Sequence, residues 1–245
     1  MSNIQSSEIF EKAPIVLAII QYRYEKILDF DSKKIREIGT SIKKEFPKSS
    51  ESVLQNIKID QTAETKVSID KSEIQGVRFE TEDKTKALTV GIEKFTLEIN
   101  VNYPGWNAFS SEVINHWKLF SPALGDVKLT GLSMRYLNRF DLPLDISDIR
   151  KYFTTYLNSD TGNHPMMNFQ FKYSYIKGDN IIHLGHALDN EIEGKIPYFF
   201  DIDVIKLAAI ENNENVILQI FENLRVEKNS IFNDGITEES KKLIR

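Results

Sequence analysis

The chain contains no cysteine. That absence excludes disulfide bonds, a thiolate nucleophile and cysteine-based zinc or iron–sulfur sites, and it fits a reducing compartment. Long apolar runs are missing as well. The longest near the start, residues 13–20, has charged and polar flanks, is too short to span a bilayer and lacks a small-residue cleavage site. We therefore predict a cytoplasmic protein with no membrane partner.

An excess of positive charge is also lacking. The formal net charge is -5 at pH 7 and the pI is about 5.5. Nucleic acids and anionic membranes draw affinity from clustered Lys and Arg, so broad non-specific binding to either is disfavoured, although a local basic patch stays compatible with the composition. With 41% hydrophobic and 27% charged residues, the chain has the composition of an ordinary globular protein with a substantial core.

The common catalytic signatures are absent too. The sequence contains no glycine-rich phosphate loop, no Gly-x-Ser-x-Gly turn and no His-Glu-x-x-His motif. We therefore predict a protein that is not an enzyme and that carries no cofactor and no metal ion.

One pattern occurs twice. Residues 19–38 read IIQYRYEKILDFDSKKIREI, and residues 132–152 read LSMRYLNRFDLPLDISDIRKY. Both segments run from apolar residues into an Arg-Tyr pair, pass a basic residue, cross an Asp-containing turn and finish on Ile-Arg. This echo predicts a tandem duplication, with a first unit over residues 1–125, a second over residues 126–230 and a C-terminal helical tail over residues 231–245.

Hydrophobic periodicity predicts a strand, a helix, three or four strands and a second helix in the first unit. The leading strand spans residues 15–24, and Asp31 caps a helix that stops at Pro47. The polar stretch 60–72 is the loosest connection. The later strands are expected at residues 53–59, 74–80, 87–91 and 95–101. The closing helix carries an apolar stripe formed by Phe109, Val113, Trp117 and Phe120.

The second unit repeats this order. Its leading strand covers residues 127–140, and Pro143 and Asp145 introduce a helix with an apolar stripe of Ile149, Phe153 and Tyr156. Further strands are expected at residues 168–175, 180–187 and 197–205. Gly178-Asp179-Asn180 predicts a hairpin turn between two of them. The closing helix carries Val216, Ile217, Ile220, Phe221 and Leu224.

Each unit is therefore predicted as β-α-β-β-β(-β)-α, which places the protein in the α+β class. Because each helix has a single apolar stripe, the simplest packing is one antiparallel sheet with the helices on one face and the other face uncovered. The two halves are expected to join into a saddle like that of the TATA-binding protein, an analogy of shape alone. The tail is expected to form a short helix with Thr237 as its N-cap.

Several stretches are specific when taken together. They are Ala13-Pro14-Ile15-Val16 with Ala18, Tyr103-Pro104-Gly105-Trp106 with Phe109, residues 132–139 with Leu142-Pro143, Asp201-Ile202-Asp203, and Phe232 ahead of Gly235-Ile236-Thr237. In these stretches the chain resembles a sporadically distributed group of bacterial proteins of unknown function, departing from it at Ser133-Met134, where Gly-Leu is common. The resemblance implies a non-enzymatic protein without catalytic residues, and an accessory role in bacterial defence or conflict.

The leading strands carry the best candidates for binding. Arg23 and Arg135 take the same position in the two strands, and Arg139 shares a strand face with Arg135. A guanidinium presents a planar fork suited to carboxylate or phosphate. Gln21 and Ser133 also take matching positions. These residues are therefore expected on the uncovered face near a pseudo-two-fold axis.

Asp201 and Asp203 share one face of the last strand and admit two interpretations. If that strand lies beside Arg135 and Arg139, a salt-bridge network would absorb both signs, and this structural interpretation is favoured over contact with a ligand. The alternative is a Mg²⁺ or Mn²⁺ site, since residues i and i+2 on a strand bring two carboxylates together.

Other polar and aromatic patterns favour structural roles. His183 and His186 are three residues apart, so on a strand they point to opposite faces and cannot share one ion. His116 and His164 stand alone and are interpreted as polar surface or core-edge residues. An alternating aromatic stripe could stack bases, but core packing is favoured. The stripe comprises Phe169, Phe171, Tyr173 and Tyr175.

The leading hypothesis is a binding or scaffold protein whose uncovered sheet face or helical layer engages a protein partner, with a homodimer as one form of that contact. The alternative is nucleic-acid binding across the same face, against which the acidic net charge weighs. The cations for that alternative are Arg23, Lys128, Arg135, Arg139 and Lys172. A metal-dependent phosphodiester enzyme built on Asp201 and Asp203 is the second alternative.

Overall fold

The computed structural model describes residues 13–54, 57–60, 66–69, 73–146, 148–156 and 168–245. The strands in this part of the chain are β1 Ile15–Tyr24, β2 Lys48–Leu54, β3 Ile57–Asp60, β4 Lys66–Ile69, β5 Glu73–Glu80, β6 Lys86–Gly91, β7 Lys94–Asn100, β8 Leu129–Leu142, β9 Phe169–Lys177, β10 Asn180–Leu188 and β11 Ile196–Ile210. The α-helices are α1 Ser32–Gly39, α2 Trp106–Phe120, α3 Glu214–Gly235 and α4 Glu238–Lys242. Among the described residues, no helix has the length and apolar character that crossing a membrane requires.

Nine strands form one open antiparallel sheet in the order β2-β5-β6-β7-β1-β8-β11-β10-β9, and β3 and β4 pair with each other separately. The two predicted leading strands, β1 and β8, lie side by side at the centre of the large sheet. Their register places Gln21 opposite Ser133 and Arg23 opposite Gly131. The predicted α+β class and antiparallel sheet are therefore confirmed.

The helical layer covers one face of this sheet. Tyr22 of β1 stacks on Trp117 of α2 with 4.5 Å between ring centroids, and it meets the ring of Phe221 of α3 edge-on at 5.4 Å. All three side chains are buried. Since successive residues on a strand face opposite ways, the odd-numbered residues of β1 point away from the helices. We call that side of the sheet, with its odd-numbered residues of β1, β8 and β11, the open face.

Helix α1 begins where the sequence predicts and ends sooner. The Asp31 carboxylate accepts hydrogen bonds from the backbone N–H groups of Lys33 and Lys34. The α-helix stops at Gly39 and gives way to a 3₁₀ turn over residues 40–42. Gly39 is required there, because a Cβ would lie 2.3 Å from the ring of Phe79 on β5. The helix therefore packs against the sheet by close backbone approach.

Two strand predictions for the first unit are wrong. Strand β2 begins at Lys48, ahead of the predicted start at residue 53, because its polar residues occupy an exposed edge position where apolar alternation is not needed. The stretch 60–72, predicted as a connection, contains β4, which is too short to give a periodic signal. Residues 55–56, 61–65 and 70–72 of these predictions lie outside the described residues, as do residues 1–12 of the first unit.

The first helix predicted for the second unit is also wrong. Pro143 and Asp145 lead only to a 3₁₀ turn at Ile149–Lys151. Phe153 instead forms an isolated β-bridge with Ile236, and its ring stacks on Tyr198 of β11 at 3.8 Å. Phe153 is thus buried in the core by these contacts, and not as part of the apolar stripe of a helix.

The C-terminal region follows the predicted outline with different boundaries. Helix α3 runs through the predicted boundary at residue 230 and ends at Gly235. Thr237 precedes α4 as predicted, but its hydroxyl donates to the carbonyl of Lys151 and makes no capping bond within α4. Ile244 is buried, so the tail packs back onto the domain.

Candidate binding site on the open face

Three adjacent strands bring the seven predicted site residues to one region of the sheet. Opposite residues of an antiparallel pair have their side chains on the same face. The register places Arg135 opposite Asp203, and Asp201 opposite Leu137. The seven residues are Gln21 and Arg23 on β1, Ser133, Arg135 and Arg139 on β8, and Asp201 and Asp203 on β11. We call Arg23, Arg135, Asp201 and Asp203 the central cluster.

Arg135 and Asp201 form a two-point salt bridge. The Nε of Arg135 donates to Oδ1 of Asp201 at 2.8 Å, and the second nitrogen, Nη2, donates to Oδ2 at 2.6 Å. These hydrogen bonds raise the pKa of Arg135, which stays charged. The predicted internal ion pairing is confirmed for this pair, and both oxygens of Asp201 are engaged by it.

Asp203 has no such partner. Its Oδ1 is buried and accepts no hydrogen bond within the part of the chain that the structure describes. Burial raises the pKa of Asp203, and the nearby charges of Arg135 and His183 offset this only in part. A buried, unpaired carboxylate oxygen is unfavourable in the folded protein. The folded chain therefore retains an unsatisfied acceptor at the centre of its sheet.

Arg23, in contrast, has a hydrogen-bond donor without an acceptor. Its Nε is buried and donates to no other described residue. Across the strand pair it faces Gly131, which has no side chain that could accept a hydrogen bond. A Cβ at Gly131 would lie 2.7 Å from the carbonyl oxygen of Lys206, so only glycine fits there. The open face thus carries an unsatisfied donor on β1 in addition to the unsatisfied acceptor of Asp203 on β11.

Gln21 and Ser133 lie between the two arginines and are more enclosed. The side-chain amide of Gln21 donates to Oγ1 of Thr96 at 3.1 Å. Ser133 is 5% exposed. A partner on the open face would therefore reach the longer side chains of Arg23 and Arg135 first.

Arg139 lies apart from the central cluster. Its Nε donates to Oδ1 of the exposed Asp141 at 2.8 Å. The register of β8 and β11 places Phe199 opposite Arg139, away from both Asp201 and Asp203. The prediction that these two aspartates would also pair Arg139 is therefore wrong, because the strand register brings them to Leu137 and Arg135 instead.

A cavity of about 530 Å³ adjoins the central cluster between β8 and β9. Gly185 is part of its lining, and a Cβ there would lie 3.2 Å from the Cβ of Asp201. Its lining combines apolar side chains with charges of both signs: Arg135, Leu137, Lys172, Phe199 and Asp201.

The apolar part of the open face was missed at the sequence level. Leu137 and Phe199 line the cavity, and Leu207, near Arg23, is 53% exposed. The signal was present, because each of these residues occupies an odd-numbered position of β8 or β11, where alternation predicts the uncovered face. These side chains add apolar contact area around the charged cluster.

The two histidines of β10 point to opposite faces, as predicted. His183 is exposed, and its Nδ1 shares a 2.6 Å hydrogen bond with the hydroxyl of Ser174. His186 is buried between the rings of Phe171 and Phe200 at 4.9 and 4.7 Å, and burial lowers its pKa to about 4. His164 lies outside the described residues.

The aromatic stripe of β9 lies on the helical side of the sheet, where Phe171 stacks on the buried His186. Phe169 and Phe171 are half-buried, while Tyr173 and Tyr175 are 36% and 37% exposed. The predicted core packing therefore applies to Phe169 and Phe171, whereas Tyr173 and Tyr175 are only partly packed against the core. Base stacking by this stripe on the open face is excluded, because the rings occupy the opposite face.

Comparison with known proteins identifies no relative from which a role of this site could be inferred. No protein-family model and no curated protein matches the chain. The resemblance to the bacterial family therefore stays a prediction.

Proposed function

We propose that the open face is the docking surface for a protein partner, centred on the central cluster, and that the protein acts by binding and not by catalysis. The observation that carries this proposal is that two of the five buried polar side-chain atoms without a partner among the described residues, Nε of Arg23 and Oδ1 of Asp203, belong to the central cluster. In the free protein each of these groups is unfavourable, and a partner that supplies the missing hydrogen bonds would remove that cost.

The chemistry of the surrounding surface fits a polypeptide. Protein interfaces combine an apolar centre with a few hydrogen-bonding groups, and Arg is enriched in them. Leu137, Phe199 and Leu207 supply the apolar contact area here. A peptide backbone or a polar side chain offers both an acceptor for Arg23 and a donor for Asp203. Phosphate groups, by contrast, would meet an unpaired carboxylate.

Ion pairing weakens the nucleic-acid alternative. Of its five cations, Arg135 is held by Asp201. Two further pairs are Arg139 with Asp141 at 2.8 Å and Lys128 with Glu25 at 3.8 Å. Neutralising phosphates with these side chains would require breaking the internal pairs, which reduces the gain from each contact.

The divalent-metal alternative is also weakened. Both oxygens of Asp201 accept hydrogen bonds from Arg135. A Mg²⁺ ion bound by Asp201 and Asp203 would have to displace that guanidinium, so the arrangement favours a binding role for Asp203 over a catalytic one.

We further propose that the chain is a tandem duplication with the saddle shape expected from its sequence. Outward from β1 the sheet continues with β7, β6 and β5, and outward from β8 it continues with β11, β10 and β9. The two motifs match Gln21 with Ser133, and these residues lie directly opposite each other. A pseudo-two-fold axis through that pair would relate Arg23 to Arg135, which supports a binding surface built from both units.

Purification of the tagged protein from its native cells, after nuclease treatment, tests the proposal. We expect a stoichiometric protein partner that is retained by Arg139→Glu and lost by Arg23→Glu, two variants with the same charge change on the same face. Circular dichroism and urea unfolding verify that both variants fold. A partner retained equally by both variants would contradict the proposed surface. Nucleic acid recovered in place of protein, with steeply salt-dependent binding, would favour the alternative.

A further inference from the structure

A second cluster, remote from the open face, contains three metal-ligating side chains. Glu112 and His116 are spaced i and i+4 on α2 and therefore lie on one face of that helix. Glu45 approaches them from the segment that follows α1. One ligand atom from each of the three residues lies within 4.8 Å of the others.

His116 is the unusual member of this cluster. It is 8% exposed, and its Nε2 lies 3.9 Å from Oε1 of Glu112, too far for a hydrogen bond. The ring of Phe46 meets the imidazole edge-on at 5.5 Å and holds it in place. No hydrogen bond to the imidazole is found in the described part of the chain. A buried histidine thus lies beside two carboxylates, and its ring makes no hydrogen bond to another described residue.

The two carboxylates already converge on a cation. The ammonium of Lys86 on β6 lies 2.8 Å from Oε1 of Glu45 and 3.0 Å from both carboxylate oxygens of Glu112. One ammonium leaves this group of two carboxylates with a net negative charge, whereas a divalent ion would balance both. The Lys86 side chain is 28% exposed, so its flexible stem has a route to solvent.

We propose that Glu45, Glu112 and His116 form a site for a divalent transition-metal ion of the zinc type, which binds in competition with the ammonium of Lys86. One imidazole nitrogen and two carboxylates are a common ligand set for Zn²⁺, with bond lengths of about 2.0–2.2 Å. A water molecule would complete the coordination, as at three-ligand zinc sites. The site is independent of the proposed docking surface.

Titration of the metal-free protein with Zn²⁺, and with Co²⁺ as a visible-absorption probe, tests this proposal. We expect saturable one-to-one binding that weakens about 100-fold in His116→Ala. Removal of the competing cation in Lys86→Met should strengthen binding about tenfold. His183→Ala, which removes an exposed histidine on the other side of the sheet, is the control and should leave affinity unchanged. Thermal unfolding without metal verifies that each variant folds.

The response of His116→Ala separates a metal site from an ordinary salt-bridge network. If Glu45, Glu112 and Lys86 serve only to pair with each other, His116→Ala binds Zn²⁺ no worse than the wild type. Either that pattern or an absence of saturable binding by the wild type would overturn the proposal.

Discussion

Two clusters on the open face each combine arginine with carboxylates, and they differ in how completely their hydrogen-bonding groups are satisfied. Arg78 on β5 donates to Glu80 at 3.1 Å and to Glu98 at 2.8 Å, and the hydrogen bond with Glu98 raises the pKa of Arg78. In the central cluster, Arg135 is bound by Asp201, and Asp203 retains a buried oxygen without a partner among the described residues. An ion-pair network that satisfies its own members is structural, whereas one that leaves a donor and an acceptor unpaired is suited to binding.

Geometry explains the difference. Arg78 has one carboxylate two positions along its own strand and another on β7, and it reaches each with a different nitrogen. Two nitrogens of Arg135 donate to the same carboxylate, that of Asp201. Most of the donor capacity of this guanidinium is therefore not available to Asp203. Strand register, and not residue type, thus determines which cluster has all its charged groups paired internally.

The largest effect on stability is expected at the satisfied cluster. Replacement of Arg78 by Met leaves Glu80 and Glu98 without their cation, and both are partly buried. We expect a loss of about 2 kcal/mol in the free energy of unfolding, below the range for fully buried pairs because solvent screens part of the interaction. Urea unfolding measures this loss, and partner binding should not change. A neutral result would remove the distinction between the two clusters.

A smaller loss is expected for Arg135→Met. This change leaves Asp201 unpaired beside Asp203, but the Arg135 side chain is 38% exposed, so water screens much of the interaction. We expect urea unfolding to show a loss of about 1 kcal/mol. Since Met retains the stem of the side chain, the loss reports the charge and its hydrogen bonds. A loss larger than that of Arg78→Met would reverse the order proposed for the two clusters.

The opposite sign is expected for Asp203→Asn, which should stabilise the free protein by about 0.5–1 kcal/mol at pH 7. Because burial raises the pKa of Asp203 in the folded state, folding favours the protonated carboxyl. That stabilisation is complete below the unfolded-state pKa of about 4 and is lost as the pH rises through the folded-state value. The advantage of the Asn variant should therefore be greatest at neutral pH and shrink on acidification. Urea unfolding between pH 4 and pH 7 measures it, and destabilisation at pH 7 would show that Asp203 is satisfied internally.

The smallest effect is expected for Arg139→Ala. The pair of Arg139 with Asp141 is exposed, and exposed pairs contribute less than about 0.5 kcal/mol on average. Thermal and urea unfolding should therefore match the wild type. A loss comparable with that of Arg135→Met would mean that Arg139 belongs to the central cluster after all.

Local patterns in the sequence predicted the central part of the fold. The bounds of β1 and the Asp31 cap of α1 were predicted correctly, because apolar alternation and capping are short-range signals. The polar edge strand β2 was misplaced, since an edge position does not require an apolar face. The helix expected after Asp145 is a 3₁₀ turn, because the contact of Phe153 with Ile236, distant in sequence, overrides the local pattern.

The candidate site was predictable only up to the strand register. Sequence alternation assigned Arg135, Asp201 and Asp203 to the open face. It could not predict that Arg135 pairs with Asp201, because this pairing depends on the register between β8 and β11. The same limit applies to Glu45 and His116, because the turn after α1 and helix α2 are far apart in sequence and meet only in the folded protein.

Photo-crosslinking in the native cells tests the central claim most directly. A benzophenone amino acid would replace Leu207 on the open face near Arg23, and in a second variant Val226 on α3; the two residues are 53% and 56% exposed. We predict a discrete protein adduct from position 207 that disappears when Arg23→Glu is added, and no such adduct from position 226. An adduct from position 226 alone, or one from position 207 that survives Arg23→Glu unchanged, would contradict the assignment of the open face as the docking surface.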